Sequence, residues 1–361
     1  MANTIMNVFD GDAFTHVSMT ASANRIVHIP KMLGRLNLFE VDRITTPDVA
    51  IESAKGRLNL IPTTERGAPL PSATPDKAQA RIVRTPRVAK QSTVYAYEVS
   101  TLRPYEDVVY DAQNRPARIL VSELDQATSI ILQRQIKLQA DLEYTLEHHR
   151  LGAVQGKLLD SDGTRVIYDW FAELGVTPPA EIDFDLDNAT PAKGALRQKC
   201  IALTQAVRKA LDGLWIDGSS YLLAMAGDAF WGAFTSHAEV DPTYGAFVKT
   251  VDQMSALQNW GLPGQSFQFA GIRWDNYAGS SDNKVAVGTD KVIFIPVNVP
   301  GLFRLAYAPS EFFPYINTPG KDFYSLLVRD MERNAWVKPE IYSYPLHYCT
   351  APEALQRGRM T

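Results

Sequence analysis

The chain has 361 residues, 45% of them hydrophobic and 21% charged, which is enough for about two domain-sized cores and excludes wholesale disorder. A formal net charge of −4 argues against a protein whose main task is gripping nucleic acid. Cys200 and Cys349 sit far apart among apolar neighbours, without the paired spacing of a metal or redox site, and are expected as buried thiols in a reducing compartment. Residues 1–11 lack the basic start and apolar core of a secretory leader, and no run approaches the ~20 apolar residues of a membrane span. The expectation is a soluble protein made in the cytoplasm.

Residues 1–50 open with a short helix near 12–24 and continue as an apolar strip (Ile26, Ile29, Leu33, Leu36, Leu38, Phe39) broken by Pro30, Gly34 and Pro47. Such a strip suits an extended arm lying on another surface. From 51 to 104, prolines at 62, 69, 71, 75, 86 and 104 cut the segment repeatedly and are read as forbidding helix. The flanks, 57–61 and 92–99, are rich in β formers, so the segment predicts a long two-stranded limb with an irregular tip at 65–76. A two-stranded ribbon is barely stable alone and is expected to lean on a neighbour.

From 120 to 153 Leu120, Leu124, Ala127, Ile131, Leu138, Leu142, Leu146, His149 and Ala153 recur at helical spacing. Ser122 with Asp125 resembles a capping box, and Gly152 and Gly156 mark the end. About 32 residues make a rod of roughly 48 Å, a spine that carries other elements. Arg134 and Gln135 interrupt the apolar seam and argue against a continuous coiled coil. A hairpin with an Asp162-Gly163 turn follows, then an acidic surface crossing at 177–190.

Residues 190 to 324 predict a separate α+β core. Thr190-Pro191 is read as the start of a helix whose face is Leu196, Cys200, Leu203, Val207 and Leu211, ended by Gly213. A buried strand at 221–225, a second helix through Tyr244, Phe247, Val251 and Met254, and strands near 267–274, 285–287 and 292–299 complete it. Extended segments at 324–328 and 336–348 are expected to return to the spine.

No phosphate loop, dinucleotide fingerprint, zincin pair or nucleophile elbow appears. Glu147, His148 and His149 are adjacent on a helix and cannot form the i, i+4 pair a metal prefers, so packing is expected. Asp160, Asp162, Gly163 and Asp169 lack calcium-loop spacing and read as a turn. Asp183, Asp185 and Asp187 alternate and are expected along a solvated extended face, with a divalent-ion site as the alternative. Trp215, Trp231, Trp260, Trp274 and Trp336 are scattered and read as core or interface residues, not a stacking platform for bases. No catalytic, cofactor or metal residue is therefore nominated. A metal-dependent enzyme using the acids of 160–187 remains the reading from a different class.

Charge is distributed unevenly. Residues 51–103 hold nine basic side chains (Lys55, Arg57, Arg66, Lys77, Arg81, Arg84, Arg87, Lys90, Arg103) against four acids, whereas 160–190 hold eight acids against Arg165 alone. Two readings stand at this point: head-to-tail pairing between copies, or two unrelated solvated faces.

The order of parts resembles the HK97-type capsid subunit: apolar arm, proline-cut β limb, spine helix, Asp-Gly hairpin, α+β core and returning strands. Particular stretches look like the lambda-type major capsid protein E family. They are Ala23-Asn24-Arg25-Ile26 leading to Pro30, Leu33-Gly34, Leu38-Phe39, Asp162-Gly163 running into Asp169-Trp170, and Tyr344-Pro345-Leu346 before Ala351-Pro352-Glu353. The resemblance implies an N-arm at 1–50, an E-loop at 51–115, the spine helix and first part of the P-domain at 116–190, an A-domain at 191–324 and returning P-domain strands at 325–361. It further implies pentamers and hexamers in an icosahedral shell around double-stranded DNA. Separate scaffolding and portal proteins are expected with it, a decoration protein is a further candidate partner, and no cofactor is expected. An encapsulin-like cellular shell is the close alternative. Some shells of this type crosslink a lysine to an asparagine, and Lys55, Lys77 and Lys90 are the lysines to examine, although no matching motif surrounds them.

Overall fold

The computed structural model describes residues 32–52, 80–100, 105–110, 116–121, 123–188, 190–211, 213–245, 266–277 and 286–361. The helix expected at 12–24, the strand at 57–61, the tip at 65–76, Ser122, Lys55, Lys77, Trp260 and the helix through 247–254 lie outside these residues.

The spine is one helix, α3 (Glu123–Val154), preceded by α1 (Met32–Arg35) and α2 (Ala96–Ser100). Its buried face carries Ile131, Leu138, Leu142 and Leu146, the periodic positions of the sequence. Leu120 is instead the penultimate residue of β7 (Pro116–Val121), which pairs with β6 (Tyr105–Tyr110) before the helix begins. Gln135 interrupts the apolar seam because its amide donates to Ser325 Oγ at 3.1 Å, a buried polar tie that replaces packing there. Gly156 closes the helix in a left-handed conformation (φ 81°) that a side chain resists.

Three sheets meet the spine or its terminus. β16 (Tyr324–Arg329), β17 (Trp336–Ser343) and β4 (Val88–Gln91) form one, with β5 (Val94–Tyr95) also on β17. Alternate residues of β17 are buried, and Ile341 joins Leu138, Leu142, Leu146 and Phe323 in one apolar cluster. The second sheet is β1 (Glu40–Arg43), β15 (Phe303–Tyr307) and β18 (Pro345–Cys349). The third is the hairpin of β8 (Lys157–Leu159) and β9 (Val166–Asp169). Trp170, in α4 (Trp170–Glu173), fills the space between this hairpin, β18 and the pair β2 (Asp48–Glu52) and β3 (Ala80–Arg84).

The limb's base differs from the expectation. The paired strands at its root are β2 and β3, while the segment expected as one strand at 92–99 splits into β5 and α2. Pairing with β17 stops at Tyr95, opposite Trp336, and the unpaired chain turns helical.

The second core is a six-stranded mixed sheet, ordered β10 (Ile182–Asp183), β19 (Gln356–Arg359), β14 (Lys291–Val297), β11 (Tyr221–Ala226), β13 (Ile272–Asn276), β12 (Ser266–Phe269). The inner strands β11 and β14 are near-continuous apolar runs because both their faces are covered. Helices α5 (Ala195–Ala210) and α6 (Asp228–Ser236) contribute to the same core. At its centre Trp274 stacks on Phe234 with ring centroids 4.0 Å apart and meets Phe294 edge-on.

Four sequence expectations change here. Helix α5 starts at Ala195, not at Thr190-Pro191, because Glu239 reaches across to accept from the backbone N–H groups of Leu196 and Arg197. The single strand at 267–274 is a hairpin: Ala270 (φ 51°) and Gly271 (φ 81°) form its two-residue turn. Residues 286–287 carry no strand, although Val287 is buried. The segment 336–348 breaks at Tyr344 into strands of two different sheets. Sheet membership also crosses the expected divisions: β15 pairs beside the spine, and β19 crosses back into the six-stranded sheet.

A Cβ on Gly152 would meet the Lys157 carbonyl oxygen, a backbone atom of β8 that cannot yield without shifting the strand. Gly152→Ala is expected to lower unfolding stability by about 1–3 kcal/mol, seen as a lower urea midpoint. An unchanged midpoint would contradict this packing of spine on hairpin.

Candidate assembly surfaces

The acidic motifs are used by the fold itself. Asp162 accepts from the N–H groups of Thr164 and Arg165, both at 2.9 Å, and these bonds hold its carboxyl below the usual range. Asp169 caps α4 by accepting from Phe171 and Ala172. Asp183 accepts from the Asp185 N–H and pairs with Arg359 at 3.4 Å. Asp185 itself adopts φ 54°, with Phe184 buried between the two, so this segment is a turn and not the expected uniform extended face. Among the described residues no group of three or more His, Cys, Asp or Glu side chains is placed to hold a metal ion.

Nor is the acidity of 160–190 left unmet. Asp160 lies near Arg165, Asp169 near Lys157, Glu181 near Lys291 and Asp183 near Arg359. Three of those four cations lie outside the acidic segment, which is why the sequence showed an imbalance that the fold reduces. The described part of the basic limb is also tied within the chain. Arg87 pairs with Glu311, Lys90 pairs with Asp141, Arg81 donates to the Glu173 carbonyl, and the Arg84 carbonyl accepts from Tyr168. Such exposed pairs fix register at a gain of about 0–1 kcal/mol each. Lys90 is therefore engaged with a carboxylate.

Glu147, His148 and His149 are packing residues with specific duties. Glu147, 1% exposed at its side chain, accepts from the backbone N–H of Leu33 at 2.7 Å and of Gly34 at 3.2 Å, and Arg150 pairs with it at 3.2 Å. A buried carboxylate thus pins the start of the described arm to the spine. Sequence reasoning placed Leu33-Gly34 and Glu147 separately; the signal that joins them is a buried acid needing donors, which one sequence does not reveal. His148 donates to the Asp160 carbonyl. His149 faces His347 of β18, centroids 6.0 Å apart, and Phe39 meets the other ring edge-on at 5.2 Å. Both cysteines are buried and free, and burial pushes each thiol up to about 12.

Among the described residues the tryptophans do not form a shared face. Trp231 and Trp274 are core residues, Trp215 and Trp336 are half-buried, and Lys338 sits over Trp336. Among the described residues the large exposed apolar side chains are dispersed. Tyr95 and Tyr97 stack beside α3, on which Leu132 and Ile136 are also exposed, and Phe313 projects from a 3₁₀ turn, Phe313–Tyr315. Among the described residues no helix is long and apolar enough to cross a membrane.

A model of the family described as phage major capsid protein E matches residues 15–360. The chain belongs to that family. A major capsid protein of Pseudomonas phage KPP10 is 22% identical over 328 residues, covering 86% of this chain and 87% of the relative. A major capsid protein of Salmonella phage Felix O1 is also 22% identical, with 95% of each chain covered. In fold, the capsid subunit is similar to a crystallised capsid protein of an E. coli CFT073 prophage, with a TM-score of 0.58 at 13% identity over 96% of this chain and 99% of that one. The α+β architecture is the HK97-type capsid fold. The capsid subunit is a structural, self-associating component of the virion.

The paired histidines give this subunit a pH dependence. Burial pushes His149 down to about 4, aided by His148 and Arg150 against the pull of Asp160, and pushes His347 well below the usual histidine range. Both rings are neutral in the folded state and take up protons on unfolding below about pH 6.5, so stability falls as pH drops from 6.5 towards 4. For His149 the loss is about 3 kcal/mol across that window. A series of urea titrations from pH 7 to 4 is expected to show this slope in the wild type and a flatter one in H149F/H347F. Parallel slopes in the two proteins would sink the assignment.

Proposed function

We propose that this capsid subunit builds the closed icosahedral head of a tailed phage, assembling as pentamers and hexamers around double-stranded DNA. The observation that carries the reading is the family match over nearly the whole chain, on a chain whose acids at 162, 169 and 183 serve a turn, a cap and an ion pair. The role is structural and not catalytic. Assembly takes place in the host cytoplasm with separate scaffolding and portal proteins, and a decoration protein is a further candidate partner. Contact with packaged DNA is non-specific and salt-screened, for which a net charge near neutrality is sufficient. In this scheme residues 1–50 are the arm, 51–115 the E-loop, 116–190 the spine and first part of the P-domain, 191–324 the A-domain, and 325–361 the returning P-domain strands.

The test is assembly by the purified subunit, followed by sedimentation and negative-stain microscopy. Closed shells or capsomer rings are expected. Protease should cut the limb between 51 and 104 in isolated subunits and spare it in assembled ones. A homogeneous monomer under all assembly conditions, or equal cutting in both states, would contradict the proposal.

A further inference from the structure

Phe313 is 93% exposed, yet everything around it is anchored. Phe312 packs edge-on against Tyr342 at 5.0 Å, and buried Tyr315 packs on Tyr324 at 4.8 Å. The Tyr315 N–H donates to the Phe312 carbonyl, Pro314 fixes the backbone between them, and Lys321 covers the Tyr315 ring. Glu311, two residues before the phenyl ring, is tied to Arg87 at 2.9 Å. With Phe312 and Tyr315 packed inward on either side of the turn, the Phe313 ring is displayed outward. The conformational cost of presenting it is already met by the fold, which is the condition under which an aromatic side chain dominates an interface.

On the other side of Arg87 lies a groove of about 470 Å³ between β4, the spine and the β8–β9 turn. Its lining is mixed: Val88, Leu142, Ile167 and Ile341 supply apolar surface, His148 and Thr145 of the spine lie in it, and the Lys90–Asp141 pair is part of its wall. It has room for an aromatic ring with its flanking backbone. The projecting ring and the groove are thus linked through the Arg87–Glu311 pair.

We propose that Phe313 of one capsid subunit seats in this groove of a second copy. The inference rests on the shell-forming reading above. A second copy is the favoured occupant because the subunit self-associates, and because the groove has room for the ring that the same chain displays. A projecting group that fits a hollow elsewhere on the same chain makes a head-to-tail contact, and such contacts close into rings. The exposed Ile316 widens the contact around the ring.

The test uses the full-length chain in three forms. Phe313→Asp should lower the assembled fraction by about tenfold or more while its thermal midpoint as a subunit stays that of the wild type, and Phe313→Trp should assemble. F313C/T145C, treated with a short bismaleimide, should give covalent multimers from assembled particles and none from dissociated subunits; Cys200 and Cys349 are buried and will not react. Wild-type failure to assemble would strike the shell reading itself. Normal assembly of Phe313→Asp would overturn the docking proposal alone. So would assembled F313C/T145C particles that yield no multimers, the result expected if the groove holds another segment of the same chain.

Discussion

The fold depends on satisfying one long helix whose buried face is both apolar and polar. A rod of 32 residues exposes too much apolar surface to stand alone, and Leu138, Leu142 and Leu146 are covered by Ile341 of β17 together with Phe323 and Val88. Removing one such leucine side chain would cost about 2–5 kcal/mol. The polar groups on the same face are more demanding. Glu147 sits where water is excluded, so it needs the Leu33 and Gly34 amides and the Arg150 guanidinium together. His149 and His347 meet that constraint differently, by remaining uncharged and packing as rings.

These requirements explain why distant stretches of sequence converge on the spine. The arm arrives because Glu147 holds it, the limb's base because β4 and β5 pair with β17, and the penultimate strand because His347 faces His149. The six-stranded core is largely self-sufficient, organised by Trp274 and its aromatic neighbours, and is joined to the rest through β19 and residues such as Leu151 and Val154 at the end of the spine. A subunit built this way keeps its stability in the body and offers projecting surface for neighbours, a division suited to a shell.

Much of this was legible from periodicity. The spine and the Leu196–Leu211 face follow from repeated apolar spacing and the hairpin from its Asp162-Gly163 turn, all of them local properties. What was not legible depended on partners far along the chain. Thr190-Pro191 has good start chemistry, yet the helix begins at Ala195 because Glu239 supplies the acceptor there. The 92–99 alternation looks like one strand, but its partner β17 ends opposite Tyr95. The acidic stretch looked unbalanced because Lys157, Lys291 and Arg359 are remote in sequence and close in space. As for surfaces, Phe313 carried no signal in a single sequence, since exposure of an aromatic is decided by how its neighbours pack.

Native-state hydrogen exchange across α3, β17 and β18 tests the central claim most directly. The account predicts that amides of the helix from Leu138 to Val154 exchange together with those of β17 and β18, through one opening of the highest free energy in this part of the molecule. Exchange of the helix amides ahead of the strands, through a separate and easier opening, would contradict it.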